Sequence, residues 1–154
     1  MPACWYADAE IVLRVLIAMI LAGIIGWDRE HRGHSAGLRT NMLIGLSAAL
    51  FTGTGDLLLR HFRIYGSVVH TDPIRVLQAI VLGVSFLGSG IIFVSRSADE
   101  VRGLTTAASV WTITGVGIVV GIGHYVLGVA ITALIFVVLE LVRKLETYLG
   151  KKRE

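Results

Sequence analysis

The chain has 154 residues, 55% of them hydrophobic and 16% charged, with a mean hydropathy of +0.76. A soluble domain of this size needs far more charge on its surface, so the composition excludes a soluble enzyme, a disordered tail and a secreted disulfide scaffold. With 18 glycines, 2 prolines and a formal charge of +3, it reads as a small polytopic membrane protein.

Five apolar stretches follow in chain order: Ile11 to Trp27, about Thr40 to Leu59, Val76 to Val94, Leu104 to Val120, and Tyr125 to about Val142. Each holds 17 to 20 residues, close to the roughly 20 that cross a ~30 Å hydrocarbon core as a helix. They lack the period-two alternation of barrel strands, and only helices or closed barrels satisfy their backbone in lipid. The expected fold is an all-α membrane protein, a bundle of five transmembrane helices. Gly121 to His124 leave so short a connection that the last two stretches could instead form one broken or re-entrant unit. Residues 1–142 would form the transmembrane domain and 143–154 a basic cytoplasmic tail.

Basic residues set the orientation. No lysine or arginine precedes Ile11, so no positively charged leader is expected. Ten fall on one side: Arg29, Arg32, Arg39, Arg96, Arg102, Arg143, Lys144, Lys151, Lys152 and Arg153. The other side has Arg60, Arg63 and Arg75, with Arg14 inside the first span near its start. The positive-inside rule places the N-terminus outside and the C-terminus in the cytoplasm, as an odd number of spans also requires.

Two hairpins look alike. Gly37, Leu38, Arg39 and Thr40 lead into the second span, and Gly103, Leu104, Thr105 and Thr106 lead into the fourth. Both hairpins run in the same sense, so they would be parallel repeats about an axis along the membrane normal, with the fifth span as an addition. Small residues recur every four positions: Ala18, Ala22 and Gly26; Gly45, Ala49 and Gly53; Ser85 and Ser89; Gly117 and Gly121. Such stripes let helices press close, within one chain or in a homodimer.

The densest chemistry lies at the expected cytoplasmic edge, where Asp28, Arg29, Glu30 and Arg32 end the first span and Arg39, Thr40 and Asn41 open the second. An arginine at a helix start works against the helix dipole, so Arg39 needs compensation from Asp28 or Glu30, a lipid phosphate or a bound anion. Arg102, Gly103, Thr105 and Thr106 hold the similar place in the second hairpin, with Asp99 and Glu100 close by. Free N–H groups at both helix starts would favour an anion or an acidic group of a partner. Magnesium would have to be drawn by Asp28, Glu30, Asp99 or Glu100, and the spacing leaves any metal undecided. Thr105, Thr106 and Ser109 can cap or back-bond the fourth span.

Inside the membrane, Asp56, Gln78 and Thr112 are candidate polar positions, and Arg14 has Glu10 four residues before it. Catalysis finds little support. Cys4 is alone, which excludes a multi-cysteine metal site. Gly33, Gly37 and Thr40 lack the Gly-Lys-Ser/Thr ending of a phosphate loop. Nucleic acid is not an expected partner either, because no basic patch alternates with stacking aromatics.

These same residues carry a family resemblance. Gly26-Trp27-Asp28-Arg29-Glu30-His31-Arg32 followed by Ala36-Gly37-Leu38-Arg39-Thr40-Asn41 resembles the first signature of the MgtC/SapB family. Phe86-Leu87-Gly88-Ser89-Gly90 and Val101-Arg102-Gly103-Leu104-Thr105-Thr106-Ala107-Ala108-Ser109, with Trp111, resemble the second. Asp28 stands where the family more often has glutamate. The resemblance implies a bacterial inner-membrane protein linked to magnesium homeostasis and adaptation to low magnesium. It also implies a short form without the soluble C-terminal domain of longer members. Some members bind and restrain the membrane ATP synthase, which makes that enzyme an expected partner. Two functions follow as expectations: a module that binds a membrane partner through Asp28, Arg39 and Arg102, or a transporter or channel for magnesium or another small ion along Asp56, Gln78, Thr112 and Thr114.

Overall fold

The computed structural model describes residues 2–63, 72–94 and 103–150. Among them are five helices and no strand: α1 (Pro2–His31), α2 (Leu38–Arg63), α3 (Pro73–Val94), α4 (Leu104–Gly121) and α5 (Tyr125–Gly150). Each is long and apolar enough to cross a bilayer, so the chain is an all-α, multi-pass membrane protein. The helices outrun the apolar stretches. α1 begins at Pro2 rather than Ile11, and α5 continues to Gly150 rather than ending near Val142. Hydropathy marks the hydrocarbon core, whereas helical hydrogen bonding carries on into the polar flanks.

Two turns are made by the same device. At the end of α1, His34 N–H donates to the Arg29 carbonyl (3.1 Å) and Gly33 N–H to the Glu30 carbonyl (3.1 Å), with Gly33 at φ +71°. At the end of α4, His124 N–H donates to Val119 (3.0 Å) and Gly123 N–H to Val120 (2.9 Å), with Gly123 at φ +92°. Both are Schellman closures, in which a left-handed residue lets the chain leave the helix while its last carbonyls stay satisfied. Thus α4 and α5 are two separate helices. α3 starts differently: Asp72 Oδ1 accepts the Ile74 N–H at 2.9 Å, and Pro73 takes the first helical position.

Helix α4 sits at the centre and touches the other four. In lipid, apolar side chains gain little by leaving the solvent, so helices associate through dispersion at close approach. Three of the small-residue stripes meet there. A Cβ on Gly45 would lie 2.6 Å from Ala22 Cβ and 3.0 Å from the Ala18 carbonyl. One on Gly117 would lie 2.6 Å from the Gly45 carbonyl, and one on Gly121 3.0 Å from Ala49 Cα. Ala18, Leu21, Ala49, Val116 and Val120 form the core beside this contact, with Ala22, Ile25 and Ile113 extending it. The fourth stripe does not pack: Ser85 and Ser89 are exposed and return their hydroxyls to the Val81 and Ser85 carbonyls. α5 lies on α4 at Gly128, whose added Cβ would meet Val120 Cγ2 at 2.5 Å.

Candidate functional site

Where α1 ends and α2 and α4 begin, the bundle gathers its polar groups. Arg29 lies in the last turns of α1, on the same face as Ala22 and Ile25, and is only 1% exposed. Its Nη2 donates to Thr106 Oγ1 at 2.7 Å, joining α1 to the first turn of α4. Its Nε is buried with no acceptor. Among the described residues no carboxylate forms an ion pair with it. The α4 start reinforces the positive charge: Gly103 caps it at φ +90° without any side-chain hydrogen bond, leaving first-turn N–H groups that favour a negative charge.

Asn41, completely buried, fixes the entry to α2. Its Nδ2 donates to the Ala36 carbonyl (2.9 Å) and the Gly37 carbonyl (2.8 Å), and its Oδ1 has no donor. Gly26 makes room for it, because a Cβ there would stand 2.9 Å from Asn41 Cβ and from Leu38 Cα. Glu30 caps the same helix from across the turn, Oε2 accepting the Leu38 N–H at 2.7 Å. A carboxylate at a helix start is the favourable placement.

A second, outer layer ties the turn to α5. Arg32 donates to Asp28 Oδ1 (2.9 Å from Nε, 2.5 Å from Nη2) and to Glu140 Oε2 (2.7 Å). Glu140 also holds Arg143 at 2.5 Å and Lys144 at 3.6 Å. The hydrogen bonds to Glu140 and Asp28 push the Arg32 guanidinium further toward its charged form. His34, on the turn, is shifted down by burial and by the charges of Arg29 and Arg32.

The structure therefore brings Arg29 to Thr106, Asp28 to Arg32 and Glu30 to the start of α2. It does not bring Arg39 to either acid. Arg39 and Thr40 are exposed and line the mouth of a long groove between α2 and α3. Thr105 is exposed and contributes no cap; Arg102, with Arg96, Asp99 and Glu100, lies outside the described residues. Asp56 lines a cavity of about 240 Å³ with Arg14 and Thr52 near the far end. Gln78 is exposed on α3, Thr112 is exposed with its hydroxyl on the Ser109 carbonyl, and Thr114 is buried with its hydroxyl on Val110. These four do not share one wall. Arg14 is nine-tenths buried, pairs with Glu10 and donates Nη1 to the last carbonyl of α4, Gly121, at 2.8 Å. Among the described residues no three of His, Cys, Asp or Glu come together as a metal site.

Sequence reasoning missed Glu140. The signal was there, since it is the one acid in the apolar run Ile135-Phe136-Val137-Val138-Leu139-Glu140-Leu141-Val142, and ionisable groups in such runs need a partner.

A five-helix, multi-pass membrane bundle with a polar cluster where α1 ends and α2 and α4 begin defines the class of protein. The MgtC family profile matches residues 15–148, and the chain belongs to that family. It is 39% identical over 150 residues to YhiD of Escherichia coli K12, provisionally named a magnesium transporter, covering 94% of this chain and 66% of that protein. Protein SapB of Bacillus subtilis is 36% identical over 121 residues, covering 79% of this chain and 51% of SapB. Protein MgtC of Salmonella typhimurium LT2 is 37% identical over 126 residues, covering 80% of this chain and 48% of MgtC. The chain thus spans between 48% and 66% of the length of these relatives. No solved structure matches it.

Proposed function

We propose that this chain is a magnesium-related inner-membrane protein that acts by binding a membrane partner, with the Arg29 end of the bundle facing the cytoplasm as its recognition surface. Arg29 is the observation that carries this reading: a buried guanidinium bonded to a neutral hydroxyl, one N–H without an acceptor, beside an uncapped helix start. Among the described residues Arg29 has no ion-paired carboxylate; a buried charge so placed weakens the fold that holds it, and such breaches of local rules are expected at functional sites. An acidic group of a partner would supply the missing charge. Basic residues concentrate on this side of the bundle, which favours the cytoplasmic assignment. Family resemblance nominates the membrane ATP synthase as the partner. Transport, the activity in the provisional name of the Escherichia coli relative, is the second reading. Against it stands the contact of α1, α2 and α4 at backbone distance around Gly45 and Gly117.

Two measurements on the full chain separate these readings. Tagged protein cross-linked in bacterial membranes should co-purify with ATP synthase, and Arg29→Met should abolish this while the unfolding temperature is kept. Liposomes reconstituted with the pure protein should show no magnesium flux above empty vesicles. Undiminished co-purification of Arg29→Met would remove the recognition role, and flux above the control would establish transport instead.

A further inference from the structure

The groove between α2 and α3 is unused by the site just described. It encloses about 1160 Å³ and has an arginine at each end, Arg39 on α2 and Arg75 on α3. Its walls are lowered by small residues, among them Ser47, Gly55, Ala79 and Gly83. The lining runs along α2 from Arg39 to Leu58, about 28 Å at 1.5 Å per residue, which is close to the ~30 Å thickness of the hydrocarbon core. The two guanidiniums therefore stand at the two headgroup levels, with an apolar trough between them. Between those ends the groove offers little to hydrogen-bond, and the Thr54 hydroxyl is already committed to the Leu50 carbonyl at 2.6 Å. Neither Arg39 nor Arg75 has a carboxylate partner among the described residues.

We infer that this groove binds anionic phospholipid, one molecule from each leaflet, with the phosphates on Arg39 and Arg75 and the acyl chains meeting along the wall at Gly83. Charge and length select this occupant. A phospholipid carries its anion at the interface and only hydrocarbon below it, as the groove requires, and basic pockets between helices are known to hold acidic headgroups. A second copy seated in the groove about a two-fold axis along the membrane normal would bring its own Arg39 and Arg75 to the same levels, like charge against like.

Native mass spectrometry of the purified full chain in neutral detergent tests this, with phosphatidylglycerol or phosphatidylcholine added after delipidation. Two phosphatidylglycerol molecules should be retained, and phosphatidylcholine should be lost at the same collision energy. Arg39→Gln and Arg75→Gln should each weaken one site, about fivefold for one basic charge, and together abolish the preference. Gly83→Leu should expel both lipids without unfolding the protein, because a Cβ there meets nothing within 4 Å. Equal retention of the two lipids, or retention indifferent to all of these variants, would overturn the assignment. So would a dimer that dissociates in Gly83→Leu, since the groove would then belong to a second copy.

Discussion

The interior triangle of α1, α2 and α4 and the outlying helix α3 are built on opposite terms. Half of the spanning window of α4 is buried inside the protein, against 6% for α3. The triangle is joined through glycine and alanine at backbone distance, while α3 lies along α4 through side chains, as at Gly88 against Ala107, and meets α2 more sparsely, as at Val76 against Gly55. α3 keeps large residues such as Leu82 and Phe86 turned outward. In a medium as apolar as the side chains, close fit alone distinguishes a partner helix from lipid. The triangle is the scaffold that fixes Arg29 against Thr106, and α3 is a wall that lipid can share.

Glycine to leucine at matched depth should break this comparison most sharply. Gly117→Leu forces a side chain into the Gly45 carbonyl and Ala48 Cβ, and overpacking of this kind costs about 3 kcal/mol or more. The expected result is loss of the folded species in detergent, followed by thermal unfolding or size exclusion. Gly83→Leu on α3 meets open space, and removing a mid-helix glycine should leave stability unchanged or raise it by about 0.5–1 kcal/mol. Equal damage from the two would mean that α3 is as tightly built as the centre.

Next in size is the buried arginine. Thr106→Val removes the acceptor of Arg29 and should cost about 2 kcal/mol, the scale of a hydrogen bond to a charged group. Arg29→Met should be neutral or stabilising, because a buried charge with no ion pair among the described residues is replaced by an apolar chain of similar length. The double variant should then match Arg29→Met alone. Additive losses in this cycle, read from unfolding midpoints, would show that the two side chains do not act on each other. A smaller, salt-sensitive effect is expected for Glu140→Gln, which releases Arg32, Arg143 and Lys144 from a partly exposed network.

The number of helices and three of their four close-packing stripes were legible in the sequence, because span length and small-residue spacing are local properties. Helix ends were less legible: α4 starts at Leu104, where its apolar stretch starts, whereas α3 starts at Pro73 rather than Val76, on an Asp72 cap that hydropathy alone passes over. The site was legible as a neighbourhood and not as a set of contacts. Arg39 looked decisive because of its place at a helix start, yet Glu30 spends its carboxylate on the Leu38 N–H and Asp28 pairs with Arg32. Which arginine is buried depends on how α1 rotates against α4, and that angle is set by contacts 77 residues apart, such as Arg29 with Thr106. Linear spacing holds no such information.

The mildest test concerns the rim of that same positive region. His34 holds its proton less firmly than a free histidine because burial and the charges of Arg29 and Arg32 oppose the imidazolium, with Asp28 only partly offsetting them. The folded state thus has the lower pKa, and the unfolded chain takes up the proton first as pH falls. Stability should be flat in this group above its free value of about 6.5 and should decline as pH drops below it. Between pH 7.5 and 5.5 the unfolding temperature of the wild type should fall, and His34→Asn should fall less. In Arg29→Met the histidine loses one of its two opposing charges, so the wild-type slope should become shallower there as well. An unchanged slope in Arg29→Met would place the charge of Arg29 out of reach of the turn and confine its influence to the α1–α4 contact.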